Sequence, residues 1–191
     1  MTIGIALFLI LIFALDSFIL MPRGSDPFSQ KNLTDGEKLG LLTVHCKLVT
    51  SKVRKGQLWR PVTSMFLHAG IPHILVNTVA LLTIGPVVEG LVGGGKLLAL
   101  FVLSGVFSAA CMMALTKIED GLGASTAIFG LIGVWLVLLA RDSGAVLDSM
   151  GILTWILLVA YAMVANLSDN TTRLEHLTGT VGGILFGLLL L

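Results

Sequence analysis

Residues 97–115 read LLALFVLSGVFSAACMMAL, an unbroken run of 19 residues without a charged side chain. A helix needs about 20 such residues to cross the hydrocarbon core of a bilayer. Five other long apolar segments occur, at residues 2–20, 73–91, 125–140, 146–165 and 177–191. The chain is 55% hydrophobic and only 12% charged over its 191 residues, with a mean hydropathy of +0.98. Because no segment alternates as the strands of a membrane barrel do, these values predict an all-α, polytopic membrane protein.

The six segments are expected to form a single membrane domain over residues 1–191. The long first loop, at about residues 22–71, holds eight of the twelve basic residues. Its Pro, Gly and Asn residues are typical of a folded loop. A net charge of +1, without basic runs interleaved with aromatic residues, argues against nucleic-acid binding.

Polar residues inside the apolar segments are candidates for function, because placing them in lipid is costly. His73 and Asn77 are four residues apart and therefore share one face of a helix. Hydrogen bonding between neighbouring helices explains such a pair as well as a shared site does.

Ser125 stands in the sequence GASTAIFG at residues 123–130, among small residues that allow close approach. The start of a helix also offers free amide donors, which a developing oxyanion requires. The simpler alternative is a serine that caps a helix.

His176 is followed by Gly179, Gly183 and Gly187, which form a smooth stripe suited to close helix contact. A histidine that bonds across the bundle is the alternative to a catalytic one. If the stripe packs against the small-residue face of residues 123–130, His176 is carried toward Ser125.

Together these motifs resemble the rhomboid family of intramembrane serine proteases, over about two thirds of the chain. The matching features occur in the family's order: Trp59–Arg60, His73 with Asn77, Gly85 with Glu89 and Gly93, Ser125 after Gly123, and His176 before its glycine stripe. The resemblance implies a six-transmembrane-helix rhomboid-like bundle, with Ser125 near the start of the fourth helix and His176 on the sixth.

The resemblance also implies the catalytic roles. Ser125 would be the nucleophile and His176 the general base and then general acid, in a dyad without the usual carboxylate. The Ser125 amide and the side chains of His73 and Asn77 would bind the oxyanion. Phe129 would pack on the histidine ring and help to fix it. No metal or organic cofactor is implied.

Supporting roles are implied for Gly123, Arg60 and Glu89, which fix structure rather than perform chemistry. The implied partners are transmembrane protein substrates in the lipid bilayer, cleaved where they unwind near its surface. They would reach the site past the fifth helix near Trp155. The expected location is the plasma (inner) membrane, as an integral multi-pass protein.

Thr126 departs from the family pattern, in which a glycine usually follows the nucleophile. Its side chain would lie where the substrate backbone passes, so we expect activity that is reduced or altered in substrate preference. The main alternative is a catalytically inactive rhomboid-like protein that binds transmembrane clients. Retention of the proposed dyad and oxyanion residues favours the enzyme.

Two indications of how the chain is oriented in the membrane conflict, and we favour the orientation common in the family. The positive-inside rule favours a cytoplasmic first loop, because most basic residues lie in it. Six-helix rhomboids commonly place that loop on the opposite side, and charge bias is least reliable for long folded loops.

Overall fold

The structure is a computed structural model that describes residues 1–20, 40–116, 120–167 and 169–191. The described part holds ten α-helices: α1 Thr2–Ala14, α2 Leu41–Cys46, α3 Thr50–Arg54, α4 Arg60–Thr63, α5 Ile71–Val92, α6 Gly94–Leu115, α7 Ser125–Arg141, α8 Ser143–Asp148, α9 Ile152–Ala165 and α10 Asn170–Leu190. A π-helical turn, Leu15–Ile19, extends α1, and a 3-10 turn, Ser64–Phe66, follows α4. Two short strands, β1 (Leu48–Val49) and β2 (Asp120–Gly121), pair antiparallel.

The six long helices, α1, α5, α6, α7, α9 and α10, correspond to the predicted apolar segments. By length and composition, α1 with its π turn, α5 and α6 are long and apolar enough to cross a membrane. Helices α7 and α9 are shorter and equally apolar in character, and α10 has 21 residues. The prediction of an all-α polytopic bundle is confirmed.

Helix α7 lies at the centre of the bundle, where it packs against α5, α6 and α10. Its side chains Ile128, Leu131 and Val134 are fully buried. Lipid tails are as apolar as these side chains, so close packing and hydrogen bonds hold membrane helices together rather than exclusion from water. The centre of the bundle therefore depends on how closely its helices fit.

The contact between α7 and α10 is made by glycines. A Cβ atom at Gly179 would collide with the backbone carbonyl of Thr126, and a Cβ atom at Gly183 with that of Gly130. Backbone thus meets backbone along this interface, as small residues allow. The predicted packing of the glycine stripe is confirmed, and it sets the segment around His176 beside the start of α7.

Residues 40–70 of the first loop fold onto the bundle. Arg60 is 2% exposed. Its Nη1 donates to the Lys47 carbonyl at 2.6 Å, and its Nε donates to Gln57 Oε1 at 2.7 Å. The rest of the predicted loop, residues 22–39, lies outside the described residues.

The last two helices differ from the predicted apolar segments. The segment 146–165 is divided between α8 and α9 by a break at residues 149–151. Helix α10 begins well before its apolar part, where the Asp169 side chain accepts a hydrogen bond from the Thr172 backbone N–H at 2.9 Å. Hydropathy misses this start because the first two turns are polar. His176 therefore lies inside a helix rather than at its beginning.

Candidate active site

Ser125 is the first residue of α7, and the chain reaches it through a turn that requires glycine. Gly123 has a φ of +130°, a conformation that residues with a side chain rarely adopt. Its N–H donates to the Ser64 carbonyl at 3.0 Å. A Cβ atom at Gly123 would lie 2.9 Å from the His73 ring. The turn therefore brings His73 beside the backbone that leads into Ser125.

His73 and Asn77 face this turn from one side of α5. The Ala69 N–H donates to His73 Nδ1 at 3.4 Å, which leaves the proton of the neutral ring on Nε2. Asn77 is 2% exposed, and the Tyr161 hydroxyl donates to its Oδ1 at 3.3 Å. Its Nδ2 is buried and has no partner among the described residues, although buried donors are normally paired. The two side chains thus offer donors close to Gly123.

The His176 ring is 3% exposed and is held on two sides. Phe129 stacks on it with ring centroids 4.2 Å apart and planes 10° apart. The His176 Nδ1 lies 3.2 Å from Asn166 Oδ1. Phe129 follows Ser125 by four residues on the same face of α7. The stack therefore brings the imidazole to the face that carries Ser125.

Within the described part of the chain, no hydrogen bond joins the Ser125 hydroxyl to His176. Ser125 is partly exposed, whereas His176 is buried. Catalytic hydrogen bonds are often long in a free enzyme and tighten when substrate binds. The His176 ring is therefore held in place, while the Ser125 hydroxyl is not hydrogen-bonded to it.

His68 is a further histidine of this cluster that the sequence motifs did not single out. It is 2% exposed, and its ring meets that of His73 edge to face, with centroids 5.0 Å apart. Burial, and then the neighbouring His73, hold the pKa of His68 well below its usual 6.5. His68 is therefore neutral at physiological pH and brings no positive charge to the site.

Tyr161 and Asn166 also belong to the cluster, and the sequence reasoning missed both. Tyr161 is the chain's single tyrosine, and its ring lies 5.3 Å from that of Phe129. A buried tyrosine hydroxyl usually has a hydrogen-bond partner. A single tyrosine in an apolar helix could therefore have indicated a polar contact with a neighbouring helix. Asn166 follows the last residue of α9 and belongs to none of the matched motifs.

The hydrogen bonds of Arg60 and Glu89 are made to residues outside this cluster. The hydrogen bonds of Arg60 are those within the first loop. Glu89 Oε2 accepts a hydrogen bond from the Thr2 N–H at 2.8 Å, which ties α5 to α1. Along α5, Glu89 is about 24 Å from His73 by helix rise. Arg60 thus holds the first loop together, and Glu89 holds α5 to α1.

Thr126 directly follows Ser125 on α7. It is partly exposed and lines a small pocket together with Glu175 and Ser108. Its backbone carbonyl makes the close contact with Gly179. Thr126 is therefore part of the α7/α10 interface as well as a neighbour of Ser125.

Known proteins share this sequence pattern. A family model described as Rhomboid domain matches residues 55–191. RHOMBOID-like protein 1 of Arabidopsis thaliana is 28% identical over 178 residues, which cover 93% of this chain and 44% of that protein. The putative rhomboid protease YdcA of Bacillus subtilis (strain 168) is 28% identical over 138 residues, covering 72% of this chain and 69% of that protein.

A third relative, Rhomboid-like protease 2 of Toxoplasma gondii, is 32% identical over 141 residues, covering 71% of this chain and 49% of that protein. The chain thus spans less than half the length of the Arabidopsis and Toxoplasma relatives. The match to the family model extends over most of the chain and includes every residue of the cluster around Ser125. The chain belongs to the rhomboid family, and it is an integral membrane protein with that family's helical, polytopic fold.

Proposed function

We propose that this chain is an intramembrane serine endopeptidase that cleaves transmembrane segments of membrane proteins with a Ser125/His176 dyad. Relatives named as rhomboid proteases support this class of activity. The observation that carries the residue assignment is the stack of Phe129 on His176, because it holds the imidazole against the face of α7 on which Ser125 lies. In this proposal the protein acts as one membrane domain in the plasma (inner) membrane.

In the first half of the reaction, Ser125 Oγ attacks the scissile carbonyl carbon while His176 Nε2 takes the hydroxyl proton. When the tetrahedral intermediate collapses, the C–N bond breaks and His176 returns the proton to the leaving amine. Water then attacks the acyl ester and gives a proton to Nε2. Return of that proton to Oγ releases the carboxylic acid and regenerates Ser125.

Three donors are proposed for the oxyanion: the Ser125 N–H, His73 Nε2–H and Asn77 Nδ2–H. The first N–H groups of a helix lack intrahelical partners, which suits the Ser125 amide to this role. The unpartnered Asn77 Nδ2 supports it further, since a substrate oxygen would supply the missing acceptor. One such donor stabilises a transition state by about 2.7–4 kcal/mol.

Substrate is proposed to reach the dyad between α5 and α9. Among the six long helices α9 has the smallest buried share, with Leu158 and Tyr161 buried out of 14 residues. An apolar crevice lined by Val76 and Leu157 lies along this gap. A carbonyl inside a regular helix is already hydrogen-bonded, so the substrate segment must unwind before Ser125 can attack it.

Cleavage of a model transmembrane substrate by the purified protein in liposomes tests this proposal. Ser125→Ala and His176→Ala should each lower kcat/KM by a factor on the order of 10³ or more. Ser143→Ala and His45→Ala remove the same groups from exposed positions and should keep the wild-type rate. Each variant is reconstituted at the same protein-to-lipid ratio, so that rates compare equal amounts of enzyme.

Intact substrate in every wild-type sample, across several substrates and pH values, would contradict the proposal. It would favour the alternative of an inactive rhomboid-like protein that binds transmembrane clients. Such binding would be unchanged by Ser125→Ala, because binding alone does not use the nucleophile.

A further inference from the structure

Asn166, the first residue after α9, presents one defined atom to the His176 ring. Its Nδ2 donates to the Ala162 carbonyl at 2.7 Å, so its Oδ1 is the end that lies 3.2 Å from His176 Nδ1. An amide oxygen can only accept a hydrogen bond. The His176 Nδ1 must therefore carry the proton, and the Nε2 of the neutral ring keeps the lone pair.

The Phe129 stack does not decide which ring nitrogen of His176 carries the proton. A flat contact restrains the plane of the imidazole, which lies 10° from that of the phenyl ring. A half-turn of the ring about its Cβ–Cγ bond would preserve the stack while exchanging ring nitrogens for ring carbons. The same half-turn would break the hydrogen bond to Asn166. Asn166 therefore selects both the ring orientation and the tautomer.

The backbone at Asn166 is tied to the helix that carries the base. Arg173 Nε donates to the Asn166 carbonyl at 2.9 Å, and Arg173 Nη1 donates to Asn170 Oδ1 at 3.3 Å. Both partners of Arg173 are therefore held close to the first turn of α10. The hydrogen bond from Arg173 to the Asn166 carbonyl therefore keeps the end of α9 next to the start of the helix that carries His176.

The charged and titratable groups around the ring are few. His73 lies on α5, beside the turn that leads to Ser125, and Asp169, Arg173 and Glu175 lie on or before the first two turns of α10. None of these four forms a hydrogen bond with the His176 ring among the described residues. The contact with Asn166 is therefore the polar contact that orients the base.

We propose that Asn166 is a positioning residue for His176, so that a neutral amide stands where serine proteases commonly use a carboxylate. This inference rests on the proposed function and adds to it a third residue that orients the base.

Two substitutions and a matched control test this assignment by cleavage kinetics. Asn166→Leu keeps the size of the side chain and removes the acceptor. We expect kcat to fall about tenfold, which corresponds to about 1.4 kcal/mol, with KM unchanged. Asn166→Asp retains an acceptor oxygen and should restore most of the activity lost in Asn166→Leu.

The pH–rate profile separates positioning from a structural role. The carboxylate of Asn166→Asp would stabilise the protonated imidazole, so the acidic limb of the profile should move to higher pH. Thr171→Asp adds the same charge at an exposed position of α10 outside contact with the ring and should leave that limb in place. Nitrogen-15 NMR of the imidazole gives a readout without substrate. We expect the Nδ1–H tautomer in the wild type and a mixture of the Nδ1–H and Nε2–H tautomers in Asn166→Leu.

A wild-type kcat in Asn166→Leu, or equal shifts of the limb in the two Asp variants, would overturn the assignment. If Asn166→Leu does not fold, the comparison of Asn166→Asp with Thr171→Asp decides it alone. Failure of the proposed function looks different: the wild type would then not cleave the substrate, or cleavage would survive Ser125→Ala, whereas the NMR readout of the His176 tautomer needs no cleavage.

Discussion

The interface between α7 and α10 and the packing of α9 are built in opposite ways. Along α7/α10, glycines bring backbone against backbone, and a single added Cβ atom would collide with a carbonyl. Helix α9 instead turns most of its large side chains outward, with Leu158 and Tyr161 as its buried residues. The first region tolerates almost no change of distance, whereas the second is bound to the bundle by a few side chains.

The difference divides the candidate site into two parts. Ser125 and His176 sit on the close-packed pair of helices, so their separation is set by backbone contact. The groups that orient the site, the Tyr161 hydroxyl on Asn77 and the Asn166 amide on His176, come from the loosely packed helix and its end. Movement of α9 would therefore disturb the orientation of Asn77 and His176 before it changed the distance between Ser125 and His176.

The largest expected effect comes from separating the close-packed pair. In Gly183→Val the new side chain would collide with the Gly130 carbonyl and push α10 away from α7. We expect the free energy of unfolding in mixed micelles to fall by about 3 kcal/mol, at the upper end for overpacking. Cleavage should fall below detection.

Gly90→Ala is the control for this substitution, because a Cβ atom at Gly90 would meet nothing within 4 Å. It adds a methyl group inside α5 and should leave stability equal to or slightly above that of the wild type. A Gly183→Val protein with wild-type stability would show that the two helices are not held by backbone contact.

A smaller effect is expected from the loosely packed side. Tyr161→Phe removes the hydroxyl that donates to Asn77 Oδ1 and leaves the ring beside Phe129 in place. The Asn77 amide is then free to turn its donor away from the oxyanion. We expect kcat to fall about fivefold to tenfold, for the loss of a hydrogen bond worth about 1 kcal/mol. Stability should change little.

Comparison with Asn77→Ala sharpens this prediction. If Tyr161 acts through Asn77, Tyr161→Phe in an Asn77→Ala background should lower kcat no further. An additional fivefold loss in the double variant would mean that Tyr161 acts by another route, such as packing against Phe129.

The smallest effect is expected at the cap of α10. The backbone N–H of Thr172 holds the pKa of Asp169 below its usual 3.8. The charged cap therefore stabilises the helix fully above pH 3.8 and loses this contribution as the pH falls through the lower pKa of the folded state. Asp169→Ala should cost about 1 kcal/mol of unfolding free energy at pH 7.

Asp142→Ala is the matched control, since Asp142 caps the short α8 through the Ala145 N–H at 3.0 Å. It should leave kcat unchanged, whereas Asp169→Ala should lower kcat slightly by fraying the start of the helix that carries His176. Equal kcat values for the two variants would show that the first turn of α10 does not affect the base.

The sequence was informative where function depends on local spacing. The four-residue spacing of His73 and Asn77 placed both on one face of α5, and the glycine stripe after His176 predicted the close contact with α7. Both inferences rest on helical periodicity, which is visible in any single segment. The site roles of Ser125, His176, His73 and Asn77 stay predictions until cleavage is measured.

The orienting contacts could not be predicted in the same way. Tyr161 and Asn77 are 84 residues apart and meet through the packing of two helices. Asn166 contacts His176 because α9 ends where it does, and the predicted segment 146–165 did not show the break that precedes α9. Such contacts depend on the ends and tilts of helices, which hydropathy leaves undefined.

The most direct test of the central claim is to map covalent labelling by a fluorophosphonate probe in liposomes. Our account predicts a single phosphonyl adduct at Ser125, found by mass spectrometry of the wild-type protein and lost in His176→Ala, because the base must activate the hydroxyl. An adduct at another serine, or equal labelling of Ser125 with and without His176, would contradict it.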